Sequence, residues 1–412
     1  DPQITRKYAA IHFWHKTNAH LPYSGPCLRP TSCRHRRSVK AVRKINPNIK
    51  ICGPVAASEW DWYNPTTMQP TYKGKKYCWL EYVIMRLAEE EKKCGVKMID
   101  VFDIHNYPQD QDVATMLQTH RMYWDEDYDY PGANGVKKIN GYWDNSITKE
   151  MVFVRCQNWI DKYFGKGYEV KYGISEYNIK STDAMPTALA YAGNLGEGAR
   201  HGMEYFMPWD WRTGMWETAH IFSRYAKAIN VNTTSSDEEL LSAYTSINES
   251  RDSMTVILVN RNESGTQIVQ ANISNFDCPD GTYDAYILAN LPNGEETFVS
   301  HSQNALQKAT ATVSDGKMSI SVPAYSITAV VLDLKDNTEK YAVTFVVDGE
   351  TISSQRVAKG GNAVAPANPV KTGYTFINWD KSFTNITQNT TVTAILEPIQ
   401  YAVSFYDGIN HQ

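Results

Sequence analysis

The sequence predicts an α/β domain followed by all-β domains: part of a (β/α)8 TIM barrel (roughly strands 4 or 5 to 8), a β-sandwich and a small β-rich repeat module. From residue 51 to about 230, apolar strands alternate with helices, which indicates a parallel sheet with crossover helices. Between residues 253 and 332, five short strands are separated by Gly, Asn and Pro turns, as in a sandwich. Tyr341-Ala-Val-Thr-Phe345 recurs as Tyr401-Ala-Val-Ser-Phe405, which is typical of repeated modules.

The barrel portion contains four or five βα units before the pattern changes near Asn232, whereas a closed barrel has eight. We therefore expect the first half of the barrel to be missing from this chain. Its clearest helix is 79–93, in which Leu80, Ile84 and Leu87 share one face and Gly95 is a plausible C-cap. The remaining predicted elements are strands 50–55, 98–104, 172–178 and 203–209 and helices 151–164 and 184–201.

These patterns predict four segments. A partial barrel occupies residues 1–232, of which 1–40 are aberrant, and a β-sandwich occupies 233–338. One repeat follows at 339–398, and a second repeat begins at 399–412 and is truncated.

Composition excludes several classes of protein. A net charge of −4 with mixed signs provides no strong field for nucleic acid or an anionic membrane. No apolar run approaches the roughly 20 residues that span a bilayer, and the N-terminus is not a signal peptide. The seven scattered cysteines do not form a disulfide framework, and Cys27, Cys33 and His35 are poorly spaced for zinc. We expect no cofactor; no motif supports a structural calcium ion.

Glu176 is the strongest candidate for catalysis, because it lies at the C-terminal tip of a buried strand, Tyr172–Asn178. In a β/α-barrel the loops at that end form the active-site cleft. A retaining glycosidase needs a carboxylate nucleophile and a second carboxylic acid ~5–5.5 Å away. The alternative interpretation is a strand-end glutamate paired with a lysine or arginine.

Aromatic and imidazole side chains accompany this carboxylate. His105 and Tyr107 end the preceding strand and are expected to line the cleft, while Tyr177 is expected to hydrogen-bond the nucleophile or the sugar. Trp209 and Trp211 follow the next strand, where they are expected to stack on pyranose rings. Internal packing of His105 and Tyr107, and a hydrophobic plug formed by Trp209 and Trp211, are the alternatives. Trp60 and Trp62 resemble this pair but are weaker candidates.

Four motifs together resemble the second half of glycoside hydrolase family 44, in order and in spacing. They are Phe102–Pro108, Arg121–Asp125, Gly173–Asn178 and Met207–Trp211, and the likeness covers roughly residues 40 to 335. The resemblance implies a barrel with a β-sandwich, retaining endo-β-1,4-glucanase or xyloglucanase activity, a β-glucan substrate and Glu176 as the nucleophile. Residues 341–394 resemble the internalin-type repeats of bacterial surface proteins. An extracellular or cell-surface location, with the repeats attaching to wall or surface components, is therefore expected.

The chain departs from the family where the general acid belongs. The expected Asn-Glu-Pro is absent, and no Asp or Glu occurs from Pro2 through Ser58. Helix periodicity is also absent before Val39. A shifted reading frame and a divergent basic loop are the two hypotheses for this stretch. We expect weak or no activity, with a non-catalytic carbohydrate-binding or cell-surface protein as the alternative. Sequence spacing does not select a substitute acid from Glu59, Asp61, Asp103 and Asp210.

Overall fold

The computed structural model describes residues 11–12, 29–56, 58–64, 69–108, 112–276, 278–293, 306–333 and 340–402, with the side chains of 11–12 and 29–36 left aside. Two compact units result. One comprises Asp1–Asn248 with Met254–Leu332, and the other comprises Glu249–Ser253 with Asp333–Gln412. The four segment boundaries set out above stay predictions. Within the described ranges, no helix is both long and apolar enough to cross a bilayer.

The first unit begins with a parallel sheet of five strands in the order β1-β2-β5-β6-β7. Parallel strands require crossover connections, and here helices provide them. Strands β3 and β4 form a separate small hairpin between β2 and β5. The bounds are β1 Ile11–His12, β2 Ile51–Gly53, β3 Thr71–Tyr72, β4 Lys75–Lys76, β5 Val101–Asn106, β6 Lys171–Tyr177 and β7 Tyr205–Pro208.

Seven α-helices flank these strands in the described part of the unit. They are α1 Arg29–Ile45, α2 Glu59–Tyr63, α3 Trp79–Cys94, α4 Val113–Leu117, α5 Val152–Tyr163, α6 Ala184–Arg200 and α7 Met215–Tyr225. Helix α1 begins at Arg29, ten residues before Val39, where helical periodicity first appears in the sequence. Arginine and lysine favour helix without producing an apolar period, so the missing period did not exclude a helix. The rest of the aberrant stretch, residues 1–10 and 13–28, lies outside the described residues.

Helix α3 confirms the prediction for its segment. Leu80, Ile84 and Leu87 are buried on one face, and Gly95 ends the helix in the left-handed region at φ 65°. Its N–H donates to the Glu91 carbonyl at 2.7 Å. Glycine adopts this backbone without the steric cost that a Cβ would add, which fixes where the helix stops.

The glycines of helix α6 have a packing role. A Cβ on Gly196 would lie 2.2 Å from the ring of Tyr244, and one on Gly193 would lie 2.8 Å from the guanidinium of Arg261. Both partners belong to the all-β part of the same unit. The missing side chains therefore let the all-β part pack directly on the helix.

Eight strands form the all-β part of the first unit, in the order β11-β14-β13-β12-β15-β10-β9-β8. Five of them match the predicted strands, and β8, β9 and β13 were not predicted. Ile257, Val259 and Ile327 pack against α6 and α7. The bounds are β8 Ile229–Val231, β9 Leu241–Ile247, β10 Ser253–Asn260, β11 Gln267–Asn272, β12 Gly281–Leu288, β13 Gln307–Ser314, β14 Lys317–Val322 and β15 Ser326–Asp333.

The second unit contains a four-stranded sheet in the order β17-β16-β19-β18, in which β16 and β19 are parallel. Val343, Phe345, Ile386 and Val392 form its small core. The predicted fold class, a partial barrel followed by all-β modules, is confirmed. The bounds are β16 Lys340–Val347, β17 Glu350–Ala358, β18 Tyr374–Trp379 and β19 Thr390–Pro398.

Candidate functional site

The register of two neighbouring strands brings the first site residues together. In the β5–β6 pair, His105 lies opposite Glu176 and Asn106 lies opposite Tyr177. Both positions are at the carboxyl ends of their strands. In barrel folds this rim carries the reacting groups, because the βα loops surround it.

Two side chains from the β5 end contact the same oxygen of Glu176. The hydroxyl of Tyr107 donates to Oε2 at 2.6 Å, and Nδ1 of His105 lies 3.0 Å from Oε2. The side chains of Glu176 and His105 are 24% and 14% exposed. The carboxylate is thus held from one side and still reaches solvent.

The raised pKa of the Tyr107 hydroxyl suits it to donate a hydrogen bond to Glu176. Burial raises the pKa of its hydroxyl above the usual range, and the Glu176 carboxylate raises it further. The phenol therefore stays protonated at neutral pH. A neutral donor to a carboxylate makes a charge-assisted hydrogen bond, which is stronger than one between neutral groups.

Main-chain contacts fix the position of His105. Its N–H donates to the carbonyl of Ala56 at 2.9 Å, and its carbonyl accepts from Nε1 of Trp62 at 3.2 Å. Trp62 is fully buried. This burial excludes Trp62 as a stacking platform and makes it a support for the β5 rim instead.

The two tryptophans after β7 differ in exposure. Trp209 is 62% exposed and Trp211 is 39% exposed. The N–H of Trp209 donates to the Tyr177 carbonyl at 2.9 Å, which sets it on the rim next to Glu176. Trp211 stacks on Trp216 with ring centroids 4.3 Å apart. Trp209 is therefore the more open of the two rings.

Tyr177 lies away from this rim. Its side chain is fully buried, its hydroxyl accepts from the amide of Asn194 at 3.2 Å, and its ring packs on Phe206. The expectation that it contacts the nucleophile or a sugar is therefore not supported by its position. Successive strand residues face opposite sides of a sheet, so a residue beside Glu176 was more apt to face the helices.

The four carboxyl groups considered as substitute acids occupy different environments. Both oxygens of Glu59 accept main-chain N–H groups, from Gly135 at 2.8 Å and Val136 at 2.9 Å. Asp103 is completely buried, and burial raises its pKa to about 7. Burial also raises the pKa of Asp61. Asp210 is exposed between the two rim tryptophans, and its charge contributes to the raised pKa of Tyr107.

Sequence reasoning named Trp60 as a weaker candidate but missed the exposed ring beside it, Trp143. The rings of Trp60 and Trp143 lie 6.4 Å apart, and Trp143 is 45% exposed. Nζ of Lys138 is 5.3 Å from the Trp143 ring. The connection from β5 to α5, residues 107–151, is unusually long, and long structured loops are commonly functional. The length of this connection was the sequence feature that could have pointed to Trp143.

Metal binding has no visible basis in this part of the chain. Among the residues that the structure describes, no group of three or more His, Cys, Asp or Glu side chains is arranged to hold an ion. Cys27, one of the residues weighed for zinc, lies outside them.

Two family profiles match this chain. Residues 13–110 match glycoside hydrolase family 44, and residues 341–398 match the Listeria-Bacteroides repeat domain. The expected resemblances of the barrel and of the tail are thus confirmed.

Two curated relatives are similar in sequence. A beta-mannanase/endoglucanase A of Caldicellulosiruptor saccharolyticus is 22% identical over 268 residues, which is 57% of this chain and 20% of the relative. Endoglucanase A of Paenibacillus lautus is 21% identical over 250 residues, which is 54% of this chain and 34% of the relative. The matched part thus spans only 20% and 34% of the length of these relatives.

Solved structures of family 44 enzymes share the fold. The endoglucanase Cel44A of Clostridium thermocellum superposes with a TM-score of 0.61 at 19% identity, over 73% of this chain and 60% of that one. A Paenibacillus polymyxa xyloglucanase superposes with a TM-score of 0.60 at 16% identity, over 74% and 60%. At these identities the likeness concerns the fold.

Proposed function

From the glycoside hydrolase family 44 likeness of this chain, we propose that it is part of a retaining hydrolase of β-1,4-glucans, with Glu176 as the nucleophile. The observation that carries this proposal is the carboxylate at the strand-end rim, whose Oε2 contacts both Tyr107 and His105. A nucleophile needs such fixed orientation toward the anomeric carbon.

The chemistry follows from this arrangement. Because Oε2 is occupied by two partners, Oε1 is the oxygen that attacks the anomeric carbon. The glycosidic bond breaks as the ester to Glu176 forms, and water then hydrolyses this ester with net retention. Tyr107 and His105 keep the carboxylate from rotating during both steps. Trp209 supports the sugar ring beside the bond that breaks.

Protonation of the leaving oxygen is the step for which this chain lacks the expected residue. A positioned general acid contributes about 10²–10⁴-fold, and the sequence carries no Asn-Glu-Pro. Asp210 is the exposed carboxyl group at the rim among the four weighed above. We therefore propose slow hydrolysis of glucans by this chain, together with faster reaction of substrates whose leaving group needs no proton.

The substrate class and location complete the proposal. The related enzymes named above are endoglucanases and a xyloglucanase, and their substrates suggest a cellulose- or xyloglucan-type polymer here. The repeat at residues 341–398 supports an extracellular, cell-surface-associated enzyme. The repeats then attach the catalytic part to wall or surface components.

Covalent trapping tests the nucleophile without requiring the acid. A deoxyfluoro-β-cellobioside with a dinitrophenolate leaving group should add one glycosyl mass to the protein, and peptide mapping should locate it on Glu176. Glu176→Gln should abolish the adduct. Glu204→Gln is the matched control, because Glu204 lies before the amino end of β7 and pairs there with Lys50. An adduct on another carboxylate, or an unchanged adduct in Glu176→Gln, contradicts the proposal.

A non-catalytic carbohydrate-binding role is the second candidate. The exposed rings of Trp209 and Trp143 favour it, since open aromatic faces suit sugar stacking without any acid. Retardation in a xyloglucan-containing native gel, with no trapped adduct and no reducing ends released, would favour this role over hydrolysis.

A further inference from the structure

A buried polar cluster lies in the sheet directly below the rim. Asp103 is completely buried on β5, and its Oδ1 accepts the main-chain N–H of Ser175 at 3.0 Å. The side chain of Tyr205 on β7 lies beside Asp103 and lowers its pKa, and it also lies beside Cys52 on β2. The cluster thus connects four adjacent strands of the sheet.

Ser175 occupies an irregular point of β6. Ile104 of β5 pairs with Ile174, and the next residue of β5, His105, pairs with Glu176. Ser175 therefore has no Cα partner on β5. On the other side, pairing with β7 also shifts between Ile174 and Tyr177. One extra residue in β6 relative to both neighbours defines a β-bulge.

A bulge changes which way the following side chain points. In a regular strand Ile174 and Glu176 would share a face, because side chains alternate. Ile174 is fully buried in the apolar core, whereas Glu176 reaches His105, Tyr107 and solvent. The extra residue therefore accounts for the orientation of Glu176. Its N–H, displaced from the regular ladder, donates to the Asp103 side chain instead.

We propose that Asp103 is a positioning residue for the nucleophile: its carboxyl group holds the β6 bulge through the Ser175 N–H and so aims Glu176 at the substrate. This inference rests on the proposed role of Glu176. Asp103 itself is buried beneath the rim and does not touch the sugar.

The charge state of Asp103 provides a specific readout. Burial raises its pKa to about 7, while the neighbouring Ser175 and Tyr205 lower it and the charge of Glu176 raises it. Burial also raises the pKa of both Cys52 and Tyr205, so these neighbours stay neutral. The Ser175 N–H therefore meets a neutral acid below about pH 7 and a carboxylate above it. An ionised acceptor makes the stronger hydrogen bond, so the bulge is held more firmly at higher pH.

The experiment compares trapping rates of the full chain between about pH 5 and 9 with the fluorinated cellobioside. In the unsubstituted protein the rate should rise about tenfold with a midpoint near pH 7, which corresponds to about 1.4 kcal/mol. Asp103→Asn keeps the shape of the neutral acid and should remove this step. Asp100→Asn is the matched control, because Asp100 also accepts a main-chain N–H, that of Ile51 at 2.8 Å, but lies before the amino end of β5.

The outcomes separate the two proposals. Trapping with the same pH step in Asp103→Asn contradicts the positioning role alone, whereas no trapping in the unsubstituted protein at any pH contradicts the role of Glu176 and this inference with it. A second measurement needs neither activity nor a variant. The Ser175 amide proton, observed by nuclear magnetic resonance in ¹⁵N-serine-labelled protein, should move downfield with a midpoint near pH 7. A resonance that does not move contradicts the proposal.

Discussion

The hydroxyl of Tyr107 donates to Oε2 of Glu176 at 2.6 Å, although the two residues are 69 positions apart in sequence. His105 Nδ1 approaches the same oxygen at 3.0 Å. The two contacts fix one oxygen of the carboxylate, and the contact from Tyr107 is the shorter of the two.

Tyr107→Phe removes this donor and leaves the ring in place. We expect the trapping rate at Glu176 to fall about tenfold, because a hydrogen bond to a charged group contributes about 1.5–3 kcal/mol and part of it is replaced by water. Stopped-flow release of dinitrophenolate measures the rate. Tyr168→Phe is the matched control, since that hydroxyl donates to Glu91 at 2.8 Å, away from the rim. Equal rates in both variants would contradict the role given to Tyr107.

Trp209→Ala should weaken glucan binding. An aromatic contact is worth about 0.5–1.5 kcal/mol beyond its buried area, so we expect the dissociation constant for xyloglucan to rise about three- to tenfold. Affinity electrophoresis measures it. Trp143→Ala removes a comparably open ring on the β5–α5 connection and shows whether the loss is specific to the rim. If Trp209→Ala migrates as the unsubstituted protein does and Trp143→Ala binds xyloglucan more weakly, the binding surface lies on the β5–α5 connection and not at the rim.

Asp103→Asn should stabilise the fold at neutral pH even though it slows trapping. The folded-state pKa of Asp103, about 7, is raised above the ordinary aspartate value of 3.8. The folded protein thus binds more protons than the unfolded chain in this window, and stability falls as pH rises from about 4 to 7. Asparagine does not titrate, so its advantage should grow to roughly 4 kcal/mol over about three pH units. Urea unfolding at pH 4 and pH 8 measures this difference.

If Asp103→Asn and the unsubstituted protein instead differ by the same free energy of unfolding at pH 4 and at pH 8, the pKa of Asp103 is not raised by burial. If Asp103 positions Glu176, Asp103→Asn should be more stable but slower in trapping. Faster trapping together with greater stability would therefore contradict the positioning role. Proteins commonly accept reduced stability at functional positions.

Gly196→Ala should destabilise the first unit. The added Cβ would lie 2.2 Å from the Tyr244 ring, so the all-β part must separate from α6, at a cost of about 1–3 kcal/mol or more. Gly198→Ala in the same helix is the control: its Cβ would meet only the flexible Met203 side chain, at 3.3 Å. That variant should gain up to about 1 kcal/mol from helix propensity. Thermal unfolding followed by circular dichroism should therefore shift in opposite directions for the two variants.

Local patterns were sufficient for the helices and strands that carry the rim. The apolar period of α3 and the buried run of β6 are properties of neighbouring residues, and both elements appear in the structure near their predicted bounds. The position of Glu176 beside His105 and Tyr107 was also predictable, because parallel strands end at one edge. α1 was harder to predict, since its residues have helix propensity but no apolar stripe.

The sequence by itself determined which segments form strands and helices, and it placed a carboxylate, an imidazole and tryptophans at the ends of successive strands. Only the tertiary structure decided which side chains face the rim: it buried Tyr177 and Trp62, exposed Trp143 and placed Asp103 under the Ser175 N–H. The physical reason is the period of two in a strand. A single extra residue reverses every subsequent side chain, and whether such a residue is accommodated depends on a hydrogen-bond partner from a distant part of the chain.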